Sequence, residues 1–277
     1  KAPVIPKELA FVKDAKNILE ESAEQEYEII NRLFENIFLT KIHAGHLEIK
    51  QTVFRGCRFT GCDFSETSFT NVRFVECDFS NSNFSDAYFK CCSFQKCKAV
   101  GADFYGSRIN HVTFLECNFM ETGFDAAHIG FVKIQDTDFT EAGFSKCRFV
   151  NFWVDNVCFR KASFFKTSLK DIDFATCDIE EIIVSDTMEE LKGVKVNLAQ
   201  AVSLAKRLGI IIKETEKLMG RGEGMTKTEM QQAVNEFAEE AKRIYGAKLK
   251  EIILYGSCAR GDFTTESDID LMILLDV

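Results

Sequence analysis

The sequence predicts an all-β solenoid with a square cross-section, because one apolar position recurs every five residues without a break. Stepping by five from Phe54 to Val184 gives 27 consecutive apolar positions, 19 of which are Phe. Neither an α-helix, with a period of 3.6, nor a flat strand, with a period of 2, keeps this spacing on one side. A coil with four five-residue sides does keep it, with the Phe rings stacked along the centre.

A second periodic position, two residues before each central residue, holds mostly small residues from Cys57 to Cys177. Eight of the eleven cysteines fall on it, where free Cys acts as a small buried apolar residue. A twenty-residue coil would stack Cys57, Cys77, Cys97 and Cys117 in one column. The expected column spacing exceeds the ~3.8 Å between disulfide Cβ atoms, and zinc sites use clustered short spacings. The pattern favours reduced thiols and a cytoplasmic location, with a thiolate metal ladder as the minor alternative.

Helical patterns flank the repeat. Upstream, residues from Pro6 to Ile37 place apolar side chains three or four apart, which predicts an amphipathic helix. We interpret it as a cap over the first coil, as solenoids require, with partner binding as the alternative. Downstream, Asn197 suits an N-cap and Gly209 the position after a helix. The short helix between them carries an apolar stripe, formed by Leu198, Ala201, Val202, Ala205 and Leu208.

Local runs in the repeat resemble the pentapeptide-repeat family. Examples are Cys62-Asp63-Phe64, Ala102-Asp103-Phe104 and Ala142-Gly143-Phe144. The resemblance implies a right-handed quadrilateral β-helix. It covers about half of the chain and specifies the fold far better than the function.

The end of the repeat resembles the Qnr-type quinolone-resistance proteins through Gly193-Val194-Lys195-Val196 and Arg207-Leu208-Gly209-Ile210. This resemblance implies a DNA mimic that binds DNA gyrase or topoisomerase IV and protects it from fluoroquinolones. It also implies a homodimer formed through the C-terminal helix. Several members carry loops that project from the coil, whereas the unbroken register here predicts none.

The four-sided coil sorts the charges of a chain whose net charge is −9. That charge argues against direct nucleic-acid binding, which needs clustered Lys and Arg, and no apolar run approaches the ~20 residues of a membrane span. The side that holds Phe69 has four bases and one acid, Asp171. The side that holds Phe64 and Phe84 is acidic, and we predict that its carboxylates bind the partner: Asp63, Glu66, Asp86, Asp103 and Asp125. A merely solvated side is the alternative.

The C-terminal part carries a different chemistry. A helical pattern and the strand pattern from Glu251 to Tyr255 precede Gly256-Ser257 and then Asp268-Ile269-Asp270. A strand that ends in Gly-Ser offers amides and a hydroxyl to a phosphate. Two carboxylates two residues apart on a strand point to the same side and can share Mg²⁺ ions.

This motif resembles the minimal nucleotidyltransferases of the polymerase-β superfamily. The resemblance implies that Asp268 and Asp270 are catalytic and bind Mg²⁺, and that Gly256 and Ser257 bind a nucleoside triphosphate; the solenoid needs no cofactor. The family uses a third carboxylate on a later strand, and none follows here, so we expect a partial α/β segment that does not catalyse alone. The alternative function is therefore a nucleotidyltransferase, of a toxin–antitoxin kind, attached to a solenoid scaffold.

The predicted organisation has five parts. They are a helical cap over residues 1–45, the solenoid over 46–196, the dimerisation helix over 197–212, a charged Gly-rich linker over 213–225, and the partial nucleotidyltransferase over 226–277.

Overall fold

The computed structural model describes residues 1–211, 227–246, 249–255 and 270–275. The chain divides into two compact units, Lys1–Ile212 and Lys213–Val277. The predicted linker over residues 213–225 lies outside the described residues. Among those residues, none of the helices is both long enough and apolar enough to cross a bilayer.

The first unit consists of short strands, an α-helix near each end and a 3-10 turn. The helices are α1 (Ala15–Gln25), α2 (Leu198–Arg207) and a 3-10 turn (Glu189–Leu191). The strands are β1 (Ala10–Phe11), β2 (Ile29–Ile30), β3 (Arg32–Glu35), β4 (Phe38–Thr40), β5 (Glu48–Lys50), β6 (Val53–Arg55), β7 (Arg58–Thr60), β8 (Ser68–Thr70), β9 (Arg73–Val75), β10 (Tyr88–Lys90), β11 (Ser93–Gln95), β12 (Arg108–Asn110), β13 (Thr113–Leu115), β14 (His128–Gln135) and β15 (Arg148–Asp155).

Parallel pairing with a twenty-residue offset builds the solenoid. Ile29 pairs with Ile49 and Phe54 with Phe74, and isolated bridges extend the same register to Ile183. Each coil therefore has four sides, which we name after one central residue: the Ile49, Phe54, Phe59 and Phe64 sides. Every twentieth residue belongs to the same side, and the register leaves no projecting loop between Ile29 and Ile183.

The periodic central residues form the core, as predicted. Of the 27 positions from Phe54 to Val184, all but Phe149 and Val184 are buried. Rings stack along the axis, with centroids 5.3 Å apart between Phe54 and Phe74 and 4.5 Å apart between Phe74 and Phe94. Full burial of one such side chain contributes about 1.5–3 kcal/mol, so the stacked rings dominate the stability of the unit.

The side chains at the small inward position also form hydrogen bonds to the backbone. At many of these positions the hydroxyl or thiol donates to the carbonyl oxygen of the central residue 23 positions earlier, whereas Cys77, Cys97 and Cys117 bond the carbonyl two residues earlier. Ser82 Oγ lies 2.6 Å from the oxygen of Phe59, and Cys92 Sγ lies 3.3 Å from that of Phe69. Cys, Ser and Thr are therefore interchangeable here because each is small and each carries a donor.

A left-handed residue turns nearly every corner, two positions after the central residue. Asn31, Asn71, Glu76 and Lys96 have φ between 53° and 55°, and many further corners match them. A left-handed residue other than Gly costs about 1–2 kcal/mol, which explains the frequent Asn, Asp and Gly. At Gly56 the requirement is also steric, because a Cβ would lie 2.5 Å from Asn36 Oδ1 of the preceding coil.

The predicted N-terminal helix is correct only for Ala15–Gln25. Its buried Leu19 belongs to the same core cluster as Phe34, so α1 does cover the first coil. From Ile29 onward the chain is already in the coil, where the predicted cap over residues 1–45 still expected helix. The five-residue register in fact begins at Ile29 and includes Phe34, and pairing with the next coil prevails over helical spacing.

Side chains terminate the other end of the solenoid. Asn197 and Gln200 form the predicted N-cap of α2 as a capping box, and Gly209 has the expected positive φ of 75°. Gln200 Nε2 donates to the carbonyl oxygens of Phe174 and Cys177, at 2.9 and 2.6 Å. The polar side of α2 thus satisfies carbonyl groups of the last coil that have no further strand to pair with.

The second unit contains α3 (Lys227–Tyr245), β16 (Leu249–Tyr255) and β17 (Asp270–Leu275). The two strands pair antiparallel, and Tyr255 lies opposite Asp270. The helix and the strand that follows it agree with the sequence pattern.

The Glu190 carboxylate accepts hydrogen bonds that the backbone of a further coil would otherwise accept. In earlier coils the corner N–H bonds a carbonyl 19 residues ahead, as Lys146 does with Phe165. For Lys166 the acceptor is Glu190 Oε1, at 2.8 Å, while Glu190 Oε2 accepts the Ser185 hydroxyl at 2.7 Å. The residue is only 4% exposed. Desolvation opposes ionisation, but these hydrogen bonds outweigh it and lower the pKa of Glu190.

We predict that Glu190→Ala lowers the free energy of unfolding by about 3 kcal/mol at neutral pH, because it leaves the N–H groups of Lys166 and Ser185 and the Ser185 hydroxyl without their partly buried acceptor. A lowered pKa in the folded state stabilises the fold above the usual glutamate pKa, and this contribution disappears as the pH falls through the lower, folded value. Glu190→Gln should therefore be less stable than the parent protein at neutral pH, and the difference in unfolding free energy between the two should become smaller in acid. Urea unfolding across the pH range measures both effects, and parallel pH profiles would contradict this assignment.

Candidate functional surfaces

The five predicted partner-binding carboxylates do lie together on and beside the Phe64 side. Asp63 bridges to Asn83 and Asn83 to Asp103, so both aspartates stand in one column. Glu66 and Asp86 are exposed at the next corner, and Asp125 lies one coil beyond Asp103. The structure therefore brings the five together along one edge of the solenoid.

Three of the five carboxylates also maintain the fold. Asp63 Oδ1 accepts the N–H of Ser65 at 3.0 Å, and Asp103 Oδ1 accepts that of Tyr105 at 2.8 Å. Asp125 Oδ1 accepts the N–H of a residue in the next coil at 2.7 Å. The bonds of Asp63 and Asp103, in which a carboxylate just before the central residue accepts the N–H just after it, are Asx-type turns, whereas the Asp125 bond joins two coils. The small-Asp-Phe pattern signals such turns, and the sequence interpretation missed it.

The carboxylates of the Phe64 side form fewer ion pairs with Lys and Arg than those of the neighbouring side. Among the described residues, Asp86 and Asp103 form no ion pair, and Glu66 lies 3.5 Å from His46 Nδ1. The neighbouring Phe59 side, which is also rich in carboxylates, pairs several of them with cations at 2.8–4.0 Å: Arg58 with Asp78, Arg160 with Asp178, and Lys161 with Glu141. Among the described residues, a larger share of the carboxylates is therefore paired with Lys or Arg on the Phe59 side than on the Phe64 side.

The predicted cysteine column forms. Cys57, Cys77, Cys97 and Cys117 are buried at equivalent positions in successive coils. Cys92 occupies the same inward position on a different side of the coil, and burial raises the pKa of its thiol to about 12. Within the part of the chain that the structure describes, no group of three or more His, Cys, Asp or Glu side chains could hold a metal ion.

The predicted dimerisation stripe on α2 faces away from the solenoid. Leu198 is 82% exposed and Leu208 60%, and Ala201 is also exposed. Val202 and Ala205 are half-buried. Ile211, just after the helix, is 84% exposed. The polar contacts of α2 with the last coil therefore leave an apolar face without a partner in this unit.

Of the predicted nucleotide- and metal-binding residues, the structure describes only Asp270. Asp270 is the first residue of β17, and Gly256, Ser257 and Asp268 lie outside the described residues. In the antiparallel pair, Asp270 stands opposite Tyr255, which directly precedes Gly256 in the chain. The carboxylates of Asp268 and Asp270 are hard oxygen donors of the kind that Mg²⁺ prefers. The donor set fits Mg²⁺, which would neutralise triphosphate charge there.

Comparison with known proteins agrees with this division. A family model described as "Pentapeptide repeat region" matches residues 28–104, and one described as "Pentapeptide repeats (8 copies)" matches residues 87–124. A model described as "Nucleotidyltransferase domain" matches residues 234–277. The first unit is thus a pentapeptide-repeat solenoid, and the second carries nucleotidyltransferase sequence.

Two Methanocaldococcus jannaschii proteins, named as candidate protein adenylyltransferases, are similar to the C-terminal part. They are 51% and 43% identical over 47 residues, which is 17% of this chain and 47% and 48% of theirs. The chain therefore spans about half the length of the curated relatives it matches.

Solved structures similar to the solenoid include full-length QnrB1, a plasmid-mediated fluoroquinolone resistance protein. It is 19% identical with a TM-score of 0.38, covering 66% of this chain and 99% of that one. HetL of Nostoc sp. strain PCC 7120, a protein involved in the regulation of heterocyst differentiation, is 12% identical with a TM-score of 0.30, covering 66% of this chain and 95% of that one. Similarity at this level does not extend to function.

Proposed function

We propose that the solenoid binds a type II topoisomerase, DNA gyrase or topoisomerase IV, through its Phe64 side and protects the enzyme from fluoroquinolones. The observation that carries the proposal is the row of carboxylates on this side. A basic DNA-binding surface is the natural complement of such a row. The sequence resemblance of residues 193–210 to Qnr-type proteins supports the same partner. In this proposal the stiff side itself makes the contact, since no loop projects from the coil.

Neutral substitutions that keep the fold test this proposal. Asn already occupies position 83 of the same column and accepts the same turn bond, from the N–H of Ser85 at 2.9 Å. Asp103→Asn should therefore remove charge without breaking the turn. We predict that Glu66→Gln, Asp86→Asn and Asp103→Asn together raise the concentration needed to restore gyrase supercoiling in ciprofloxacin at least about tenfold, or ~1.4 kcal/mol.

The matched control is Asp78→Asn, which changes the same kind of turn residue on the ion-paired Phe59 side and should leave protection intact. Unfolding midpoints of all variants should stay close to that of the parent protein. Absence of protection by the parent protein, or equal loss in the control, would refute the proposal.

We also propose that the exposed stripe of α2 joins two solenoids end to end. An apolar face of this kind on a helix whose polar side is already engaged favours association with a second copy.

We predict that Leu198→Glu with Leu208→Glu converts a dimer into a monomer, because the charges would be buried without partners. Light scattering after size-exclusion chromatography gives the mass directly. Tyr27→Glu, at an exposed residue near the N-terminal end, is the control and should stay dimeric. A parent protein that is monomeric, or a double variant that still dimerises, would exclude this interface.

A second function is favoured by the C-terminal matches. We infer that this unit supplies the nucleotide- and Mg²⁺-binding part of a nucleotidyl-transfer site. Gly256 and Ser257 would bind the triphosphate, and Asp268 and Asp270 would hold the metal. The names of the relatives favour ATP as the nucleotide.

We predict Mg²⁺-dependent ATP binding by the full chain, measured by titration calorimetry. Asp268→Ala and Asp270→Ala should each abolish it, because the metal would lose a carboxylate ligand. Asp103→Asn, in the solenoid, serves as the control and should bind normally. Binding that persists without Mg²⁺, or in the aspartate variants, would contradict the assignment.

A further inference from the structure

The Ile49 and Phe54 sides, which meet at the corner that holds Phe131, carry a charge opposite to that of the whole protein. Strands β10 to β15 form these sides between Tyr88 and Asp155, and Asp155 is the single carboxylate in them. The same strands hold four Lys or Arg residues and one exposed His. This set, with the apolar residues described below, is the basic–aromatic wall: Lys90, Arg108, His128, Lys133, Arg148, Phe131, Val150 and Trp153.

The parallel ladder stacks basic residues on one another. Arg108 pairs with His128, and His128 pairs with Arg148, so three basic residues occupy successive coils of one column. Neighbouring strands lie ~4.8 Å apart, so the two Arg residues lie two coils from each other and the column brings neither of them an opposite charge.

Several cations elsewhere in the solenoid are paired with carboxylates, although others, such as Arg73 and Lys98, are not among the ion pairs of the described residues. Lys50, Arg55 and Lys161 each lie within 3.5 Å of a carboxylate oxygen. Among the described residues, none of the four Lys and Arg side chains of the wall has such a partner; Lys133 instead lies over the ring of Trp153, 4.4 Å from its centre. The wall is an uncompensated positive surface on a protein whose net charge is −9.

Large apolar side chains lie within this charge. Phe131 is 50% exposed, Val150 42% and Trp153 46%. They belong to one patch, because Gly130, next to Phe131, pairs with Val150, and Lys133 pairs with Trp153.

Phe131 occupies a corner whose backbone conformation disfavours bulky side chains. Its φ of 55° places a bulky side chain in the left-handed region, where Asn71 and Asn151 stand at the same corner of other coils. A left-handed φ is general at the corners of this coil, so the unusual feature is that a bulky, half-exposed aromatic ring occupies one of them.

We propose that the basic–aromatic wall is a docking surface for an acidic protein segment, one that presents several carboxylates around an apolar side chain. Arg, Trp and Phe are the residues enriched in protein interfaces, and Trp and Arg dominate their binding energy. The four unpaired cations supply the complementary charge.

The structure favours a protein segment over single-stranded nucleic acid. Bases stack on open aromatic faces. The His111 ring covers one face of Phe131, at 4.7 Å between centroids, and Lys133 covers one face of Trp153, so each ring has only one face left for a base. The net charge of the whole protein also opposes a long polyanion.

Selection from random 12-residue peptides displayed on phage, with the full chain as bait, tests the proposal. We expect the enriched peptides to combine several Asp or Glu residues with an aromatic or Leu residue. Fluorescence anisotropy with a synthetic copy of one such peptide should then show at least tenfold weaker binding to Phe131→Asn and to Arg148→Glu. Phe131→Asn should unfold at the same or a higher urea concentration than the parent protein, because Asn tolerates the corner.

The controls are Phe165→Asn, another exposed Phe that lies beneath a lysine on the Phe64 side, and Lys161→Gln, a paired cation. Both should bind within twofold of the parent protein. Failure to enrich acidic peptides, or equal binding by all variants, would overturn the proposal. Binding of oligothymidylate that is lost in Phe131→Asn and Arg148→Glu would also overturn it, by assigning the wall to single-stranded nucleic acid.

Discussion

The structure of the solenoid depends on one constraint: each residue lies directly over the residue twenty positions later. Parallel pairing in this register sends every fifth side chain inward and places a left-handed corner two residues after it. Because inward columns share one environment, they repeat nearly the same residue, such as stacked Phe or small donors to a carbonyl. Outward columns contact mainly the same column above and below, so each side can carry its own charge. The acidic, ion-paired and basic–aromatic sides are consequences of the same ladder.

The sequence was sufficient for the solenoid because no other regular structure tolerates a five-residue period over so many repeats. It was insufficient at the N-terminal end, where two periods coincide. Ile30, Phe34 and Ile37 fit helical spacing, while Ile29 and Phe34 fit the coil. Over so short a window the patterns cannot be distinguished. Pairing of Ile29 with Ile49 decides between them, and that contact depends on residues twenty positions away.

For the candidate sites, the sequence likewise predicts which side of the coil a residue lies on but not which neighbours its side chain contacts. Sorting by side placed the five carboxylates on one edge, since that assignment needs only the register. Which of them are free for a partner depends on local hydrogen bonds: Asp63 and Asp103 cap turns, whereas Glu66 and Asp86 do not. Likewise, single residues gave no reason to select Phe131 or Trp153. Their significance comes from neighbours in other coils, namely His111 and Lys133.

Charge density restricts how such a solenoid can mimic DNA. Coils stacked ~4.8 Å apart offer about one free carboxylate each, against one phosphate per ~1.7 Å of duplex axis. The charge per unit length on this side is therefore roughly one third of that of duplex DNA, so it attracts a basic partner less strongly. A tight complex needs apolar contact as well. The acidic side offers some of it through Tyr105, Phe165 and Ile183, and further large exposed apolar residues occur on α2 and around Phe131. A partner that binds tightly therefore has to contact these apolar residues as well as the carboxylates, on the acidic side itself, around the corner, or across two solenoids joined at α2.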